Sequence, residues 1–294
     1  MILFVFNPVS GRSGDKTLFL GRVVEKLSQG GRLVAVYQTT GKNETRRFVR
    51  EALKSGSYSE LIVSGGDGTL HEVLNGMLLA EADIPIGYIP SGSTNDFARN
   101  LGINKRNALK TVSEKRLKRL DVGQFNHEFF SYVAAFGNFT NIPFSTDQNK
   151  KNSIGYFAYI IEALGSLPDV KPFHARIATE GLAIEDDFAL GLFTNSYYTA
   201  GFKNISNKTA DLTDGLLDYV LIKMPENPRD FSDIVAGLIN GTHDDRLILT
   251  GSGKKFTVNS DAMRWTLDGE DGGEHDHCSI QAVPGRIQIY SNLS

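Results

Sequence analysis

The 294-residue chain contains one cysteine, Cys278. No disulfide can close within it, and a reducing compartment, the cytoplasm, is the expected setting. No apolar run approaches the ~18 residues that a membrane span needs. The apolar opening 1–6 is far shorter and has no basic leader, so no secretion signal is expected. Basic charge is not in surplus: 31 Lys and Arg against 34 Asp and Glu give a formal net charge of −3. A dedicated nucleic-acid binder needs surplus Lys and Arg to displace phosphate counterions, so that class is set aside. No internal repeat or low-complexity linker occurs. The two commonest phosphate-binding signatures are missing too, Gly-x-x-x-x-Gly-Lys-[Ser/Thr] and Gly-x-Gly-x-x-Gly, and Gly251-Ser252-Gly253-Lys254-Lys255 has the wrong spacing.

What is present is an ordinary globular composition, 40% hydrophobic and 22% charged, in a chain long enough for two domains. The first part alternates short continuous apolar runs with helical spacing. Residues 2–6, 33–37, 61–64 and 84–89 read as strands, and 18–27 and 44–53 as helices. After the glycine-rich segment at 65–69, Leu70, Val73, Leu74, Met77 and Leu78 share one helix face. Strands alternating with helices imply a parallel sheet covered on both faces. Beyond the basic stretch 105–119 the period changes. Segments 129–135, 173–179, 188–193 and 219–222 are aromatic or β-branched and closely spaced, which predicts mostly antiparallel β structure. Helices are expected at 154–164 and 230–239, and a hairpin around Pro284-Gly285. The domains are accordingly expected at 1–125 and 126–294, with the last strand a candidate to return to the first.

Three segments follow predicted strands and share turn chemistry: Asn7-Pro8-Val9-Ser10-Gly11, Ser64-Gly65-Gly66-Asp67-Gly68-Thr69 and Pro90-Ser91-Gly92-Ser93-Thr94-Asn95-Asp96. In a parallel sheet all three lie at the carboxyl edge, where ligands bind. Glycine lets backbone N–H groups approach phosphate oxygens with no Cβ in the way, and the helix that follows Thr69 favours an anion at its start. Each segment alone also reads as a plain turn. Together they point to one bound polyphosphate.

These motifs, in this order and continued by Phe97-Ala98, resemble the catalytic domain of diacylglycerol kinases, a family that includes soluble bacterial lipid kinases and the sphingosine and ceramide kinases. Two later signatures, 210–218 and Leu267-Asp268-Gly269-Glu270, extend the resemblance from residue 2 almost to the end. It implies an α/β plus β fold: a Rossmann-like, NAD kinase-like parallel domain followed by a β-sandwich domain. It also implies ATP and Mg²⁺ as cofactors and a lipid as acceptor, most simply diacylglycerol giving phosphatidic acid. The ATP-contacting positions would be Asn7, Pro8, Val9, Ser10, Gly11, Thr39, Gly65, Gly66, Asp67, Gly68, Thr69, Leu70, His71 and Ser93, with Asn95 and Asp96 beside them. Glu270 matches the carboxylate that takes the acceptor's proton, and Asp121 a second acidic position. Asp67 and Asp96 would serve the Mg²⁺ that travels with ATP. Asp214, with the carbonyls of Asp211 and Leu216, would hold a structural Mg²⁺, against the alternative of a plain Asp-Gly turn. The expected partners are ATP, the lipid and, transiently, the inner membrane surface, with no nucleic acid; a homodimer is left open.

The chain departs from the family pattern at Ser93, where Thr is commoner, and at Thr199-Ala200-Gly201-Phe202, where relatives often carry a glycine run. NAD kinases share the Gly-Gly-Asp-Gly-Thr loop, and a lipid-binding regulator without catalysis is a third reading. The Asn-Asp-Phe-Ala and Asp-Gly-Glu segments favour the lipid branch. His275-Asp276-His277-Cys278 carries ligand types but has no second cluster, so it is not taken as a metal site. The basic stretch 105–119 reads as a solvated face or a surface for anionic lipid heads. The aromatic segment 136–144 reads as the lining of an acyl-chain cleft or as filling of the β core, and the core is the expected place.

Overall fold

The computed structural model describes residues 1–11, 16–41, 43–137, 171–196, 198–199, 202–203, 211–240 and 244–293. The chain divides into two compact units, Met1–Leu120 with Gly285–Ser294, and Asp121–Pro284.

The first unit runs β1 (Ile2–Phe6), α1 (Lys16–Ser28), β2 (Val34–Gln38), α2 (Glu44–Lys54), β3 (Glu60–Gly65), α3 (Asp67–Leu79), β4 (Ile86–Pro90), α4 (Asp96–Asn100) and α5 (Ala108–Glu114). The strands pair in parallel in the order β4-β3-β1-β2, with Phe6 opposite Ser64 and Gly65 opposite Pro90. β1 and β3 are buried along their whole length, as continuous apolar strands covered on both faces must be. β2, paired on one side only, is half-exposed. From β1 the chain steps outward to β2 and then back across to β3. The loops leaving β1 and β3 therefore diverge, and such a switch point opens a crevice at the carboxyl edge. Ile289, near the chain's end, adds a further parallel pairing to Ile86.

The second unit holds β5 (Leu117–Phe125, which begins in the first), β6 (Glu128–Phe130), β7 (Val133–Gly137), β8 (Phe173–Thr179), β9 (Leu182–Thr194), the two-residue strands β10 (Tyr198–Thr199) and β11 (Phe202–Lys203), β12 (Leu217–Lys223), α6 (Pro228–Asn240), β13 (Ile248–Gly253), β14 (Lys255–Leu267) and β15 (Glu270–Tyr290). Pairings within it are antiparallel. Its core gathers around Trp265, which lies 4.8 Å from Phe125, 5.0 Å from Phe136 and 6.1 Å from Phe193, ring centre to ring centre. Rings at these spacings supply most of the buried apolar area of a small β core.

One expectation changes. No hairpin forms around Pro284-Gly285: β15 is one 21-residue strand that runs through both residues. A hairpin needs its arms to pair with each other, but Gln281 is already opposite Lys255 and Ile289 opposite Ile86. Gly285, at φ +57°, takes a left-handed conformation that glycine adopts freely, and the strand continues through it. The 154–164 helix lies outside the described residues, as do all of the 136–144 segment except Phe136 and Gly137, and Phe136 is core. Among the described residues no helix is long and apolar enough to cross a membrane.

Candidate active site

In the first unit the three strand-end loops are tied to one another by their own side chains. Asn7 Oδ1 accepts the N–H groups of Val9 and Ser10 at 3.0 and 3.2 Å, closing an Asx turn, while Asn7 Nδ2 donates to Thr69 Oγ1 at 2.8 Å. Ser91 Oγ donates to Ser10 Oγ at 2.9 Å, and Lys16 Nζ donates to the Ser10 carbonyl at 2.5 Å. Asp67 Oδ2 accepts the Asp96 N–H at 3.2 Å, and Asn95, in the left-handed region at φ 52°, donates from Nδ2 to the Gly92 carbonyl at 2.8 Å. The second and third loops meet backbone to backbone. A Cβ on Gly92 would lie 2.6 Å from Gly66 Cα, closer than real Cβ contacts come, so this crossing requires glycine. Thr39 sits at the end of β2, its N–H donating to the Phe6 carbonyl at 2.9 Å.

α3 starts within this cluster, Gly66 standing just before its first turn, so bare backbone and a helix amino end face the same place. Ser93 is exposed, whereas the side chains of Leu70 and His71 are buried. The latter two point into the core, and the loop offers a ligand their backbone at most.

Negative charge is concentrated here. Asp96 is only 2% exposed, and burial pushes its carboxyl up to about 6, against the partial relief of Arg99. The Tyr88 hydroxyl, which donates to the Gly65 carbonyl at 3.4 Å, is pushed well above its ordinary range by burial and then by Asp67 and Asp96. Asp96 Oδ1 and Asn95 Oδ1 are buried without a hydrogen-bond partner. Arg99 Nη1, 3.5 Å from Asp96 Oδ1, offsets that charge only in part, and oxygen atoms left without hydrogen bonds suit a hard divalent cation such as Mg²⁺, so the residues present fit the ion the sequence implies. Among the described residues no three His, Cys, Asp or Glu side chains close on one point. A cation here would complete its shell with phosphate, water or carbonyl oxygen.

In the second unit Glu270 opens β15 directly after a two-residue turn. Asp268 and Gly269 have φ of 53° and 82°, the all-positive pattern of a type I′ turn for which Asp-Gly is a favoured pair, and Leu267 lies opposite Glu270. Asp268 lies in the Leu267-Asp268-Gly269-Glu270 signature but is not among the candidate site residues, yet it is the most heavily bonded carboxylate of this hairpin. Buried at 3% exposure, its Oδ2 accepts from Ser131 N (2.7 Å) and Ser131 Oγ (3.0 Å), and its Oδ1 from Tyr132 N (2.9 Å) and Val133 N (3.2 Å). The local signals are the Asp-Gly turn pair and the signature around it, which mark the position but not its bonding; the donors lie over 130 residues earlier.

Asp121 is also buried, its Oδ2 accepting the Gly215 N–H at 2.7 Å and its N–H donating to the Leu212 carbonyl at 2.9 Å. It thereby holds the 211–216 turn. Within that turn Asp214 Oδ1 accepts the Leu216 N–H at 2.9 Å, and Asp211 Oδ1 accepts the N–H and the hydroxyl of Thr213 at 2.9 and 2.7 Å. Partial burial, then the Asp211 and Asp121 carboxylates, raise the Asp214 carboxyl above its ordinary range. Such repulsion is what a cation relieves. With its carboxylate engaged by Thr213, Asp211 would contribute through its carbonyl, so the residues fit a structural Mg²⁺ as well.

The remaining motifs go elsewhere. His275 Nε2 lies 3.0 Å from the Gly272 carbonyl and His277 Nδ1 2.7 Å from Asn259 Oδ1, while burial pushes the Cys278 thiol up to about 12. Much of the basic stretch is spent on ion pairs: Lys110 and Arg116 with Glu114, Lys115 with Glu60, Arg119 with Asp83.

Comparison with known proteins agrees with this anatomy. Residues 1–125 match the diacylglycerol kinase catalytic domain, and residues 144–291 match the YegS C-terminal NAD kinase beta sandwich-like domain. The diacylglycerol kinase of Bacillus subtilis (strain 168) is 31% identical over 274 residues, covering 92% of this chain and 89% of the relative. That of Staphylococcus carnosus (strain TM300) is 29% identical over 274 residues, covering 92% and 88%. A crystal structure of a diacylglycerol kinase from Bacillus anthracis str. Sterne superposes with a TM-score of 0.81 at 22% identity over 99% of this chain and 96% of that one, a likeness of fold. With both halves matched in order and a relative above 30% identity spanning nearly its whole length, the chain belongs to the diacylglycerol kinase family.

Proposed function

We propose that the chain transfers the γ-phosphoryl group of ATP to a lipid hydroxyl, with diacylglycerol as acceptor and phosphatidic acid as product. One observation carries the nucleotide half of this reading: loops 7–11, 65–69 and 91–96 are tied into a single cradle, with glycine backbone at its centre and Asp67 and Asp96 beside it. Membership of the family supports the acceptor.

Phosphoryl transfer asks a protein mainly to position the reactants and offset charge. In this reading Asn7, Pro8, Val9, Ser10, Gly11, Thr39, Gly65, Gly66, Gly68, Thr69, Ser93 and Asn95 hold the nucleotide, with Leu70 and His71 contributing backbone. Asp67 and Asp96 hold Mg²⁺, which when bound offsets the charge of the phosphate oxygens. Glu270 accepts the proton of the acceptor hydroxyl as its oxygen bonds to phosphorus and the bond to the departing ADP oxygen breaks. Asp268 keeps Glu270 on a fixed hairpin. Asp121 steadies the 211–216 turn, where Asp214 and the carbonyls of Asp211 and Leu216 take a structural Mg²⁺. The lipid is met by peripheral contact with a membrane surface.

The test incubates the purified full chain with γ-labelled ATP, Mg²⁺ and separate vesicles containing diacylglycerol, phosphatidylglycerol, ceramide or sphingosine, with NAD as a soluble acceptor. Label in diacylglycerol is the expected result. Label in NAD and in no lipid would overturn the lipid reading, and no transfer at all would favour a non-catalytic regulator.

A further inference from the structure

Thr39 is held at one end of the connection between β2 and α2, where its N–H donates to the Phe6 carbonyl at 2.9 Å. The other end of that connection is held by a residue outside the cradle. Glu72, on the first turns of α3, is 9% exposed; its Oε2 accepts the Asn43 N–H at 2.9 Å and its Oε1 accepts from Arg46 Nη2 at 3.0 Å. Asn43 stands in the left-handed region at φ 61° immediately before α2, and its own side chain makes no capping bond. The Glu72 carboxylate therefore does from a neighbouring helix what an N-cap does locally: it takes a donor at the start of α2 and places negative charge at that helix's positive end. One turn further along α3, a Cβ on Gly76 would come 2.6 Å from the Arg46 carbonyl, so α2 and α3 are in backbone contact on the face that carries Glu72.

From this geometry we infer that Glu72 is a positioning residue for nucleotide binding. It locks the β2–α2 connection, and with it Thr39, to the helix that begins at the Gly65-Gly66-Asp67-Gly68-Thr69 loop. The inference rests on the reading of these loops as a nucleotide cradle. Both carboxylate oxygens are committed, one to a backbone donor and one to a guanidinium. An amide at this position has a single acceptor, so Glu72→Gln must lose one contact and turn an N–H₂ toward a donor.

Binding of ATP·Mg²⁺ to the full chain, measured by calorimetry without lipid, tests this. Glu72→Gln is expected to weaken nucleotide binding about tenfold, the loss of roughly one charge-assisted hydrogen bond. Glu72→Asp, which keeps the charge on a shorter arm, should weaken it similarly, whereas Arg46→Met, which leaves the Asn43 contact in place, should lower the melting temperature without changing ATP affinity. In a double-mutant cycle Thr39→Ala should weaken binding much less in the Glu72→Gln background than in the wild type, because the two act through one loop. Wild-type affinity in both folded Glu72 variants, or equal weakening by Arg46→Met, would show a merely structural ion pair and overturn the inference. A wild-type chain that binds no ATP would overturn it together with the cradle reading, and so separates the two failures.

Discussion

Asp268→Asn should loosen the second unit and displace Glu270 together. The native carboxylate accepts three backbone N–H bonds and one hydroxyl bond, two on each oxygen, in a site 3% exposed. An asparagine amide put toward Tyr132 and Val133 would face two N–H donors. Put toward Ser131, it faces one N–H and a hydroxyl that can rotate to accept, which is the less costly choice. Two charge-assisted bonds are then lost or reversed, and at about 1.5–3 kcal/mol each the expected destabilisation is about 3–6 kcal/mol. Trp265, the sole tryptophan of the chain, is buried in the core of the same unit, so its fluorescence in a urea titration reports this unit's unfolding directly. The midpoint should fall with an unchanged slope. Below the transition, kcat of the folded fraction should also drop, because the Asp268-Gly269 turn sets where β15 begins. An unchanged midpoint, or a lowered midpoint with wild-type kcat, would refute the claim that Asp268 places Glu270.

Gly92→Ala puts a methyl 2.6 Å from Gly66 Cα, so the two loops must part; ATP affinity should fall by about 100-fold or more while circular dichroism keeps its native shape. Asp96→Asn should raise the Mg²⁺ concentration for half-maximal activity by about tenfold, read from a Mg²⁺ titration at saturating ATP. Cys278, buried and with its thiol pushed up to about 12, should resist thiol reagents in native protein at pH 8 and react at once in denaturant. Rapid native labelling would mean that the β14–β15 packing opens.

Much of the first unit is legible in the sequence because its strands are buried on both faces. A parallel strand such as β1 is one continuous apolar run, and the 2–6 reading coincides with Ile2–Phe6. Helices α2 and α3 keep a helical period, and the start of α3 is marked by the glycine-rich loop. The site loops are legible for the same reason: each follows such a run. What escapes is decided by partners distant in sequence. Pro284-Gly285 has the composition of a turn, but Lys255 and Ile86 hold its flanks in one strand. Asp268 reads as a turn residue because the donors that make it a structural anchor lie at 131–133. Glu72 reads as one polar position on a mostly apolar helix, and only the approach of α2 gives its carboxylate a task.

The most direct measurement of the central claim is transfer of label from γ-labelled ATP to diacylglycerol vesicles by wild-type and Glu270→Gln protein of equal melting temperature. The wild type should label the lipid in a Mg²⁺-dependent way and leave NAD unlabelled, and Glu270→Gln should lower kcat by about 10²–10⁴-fold, the usual worth of a general base. Label passing to NAD and to no lipid would contradict the account.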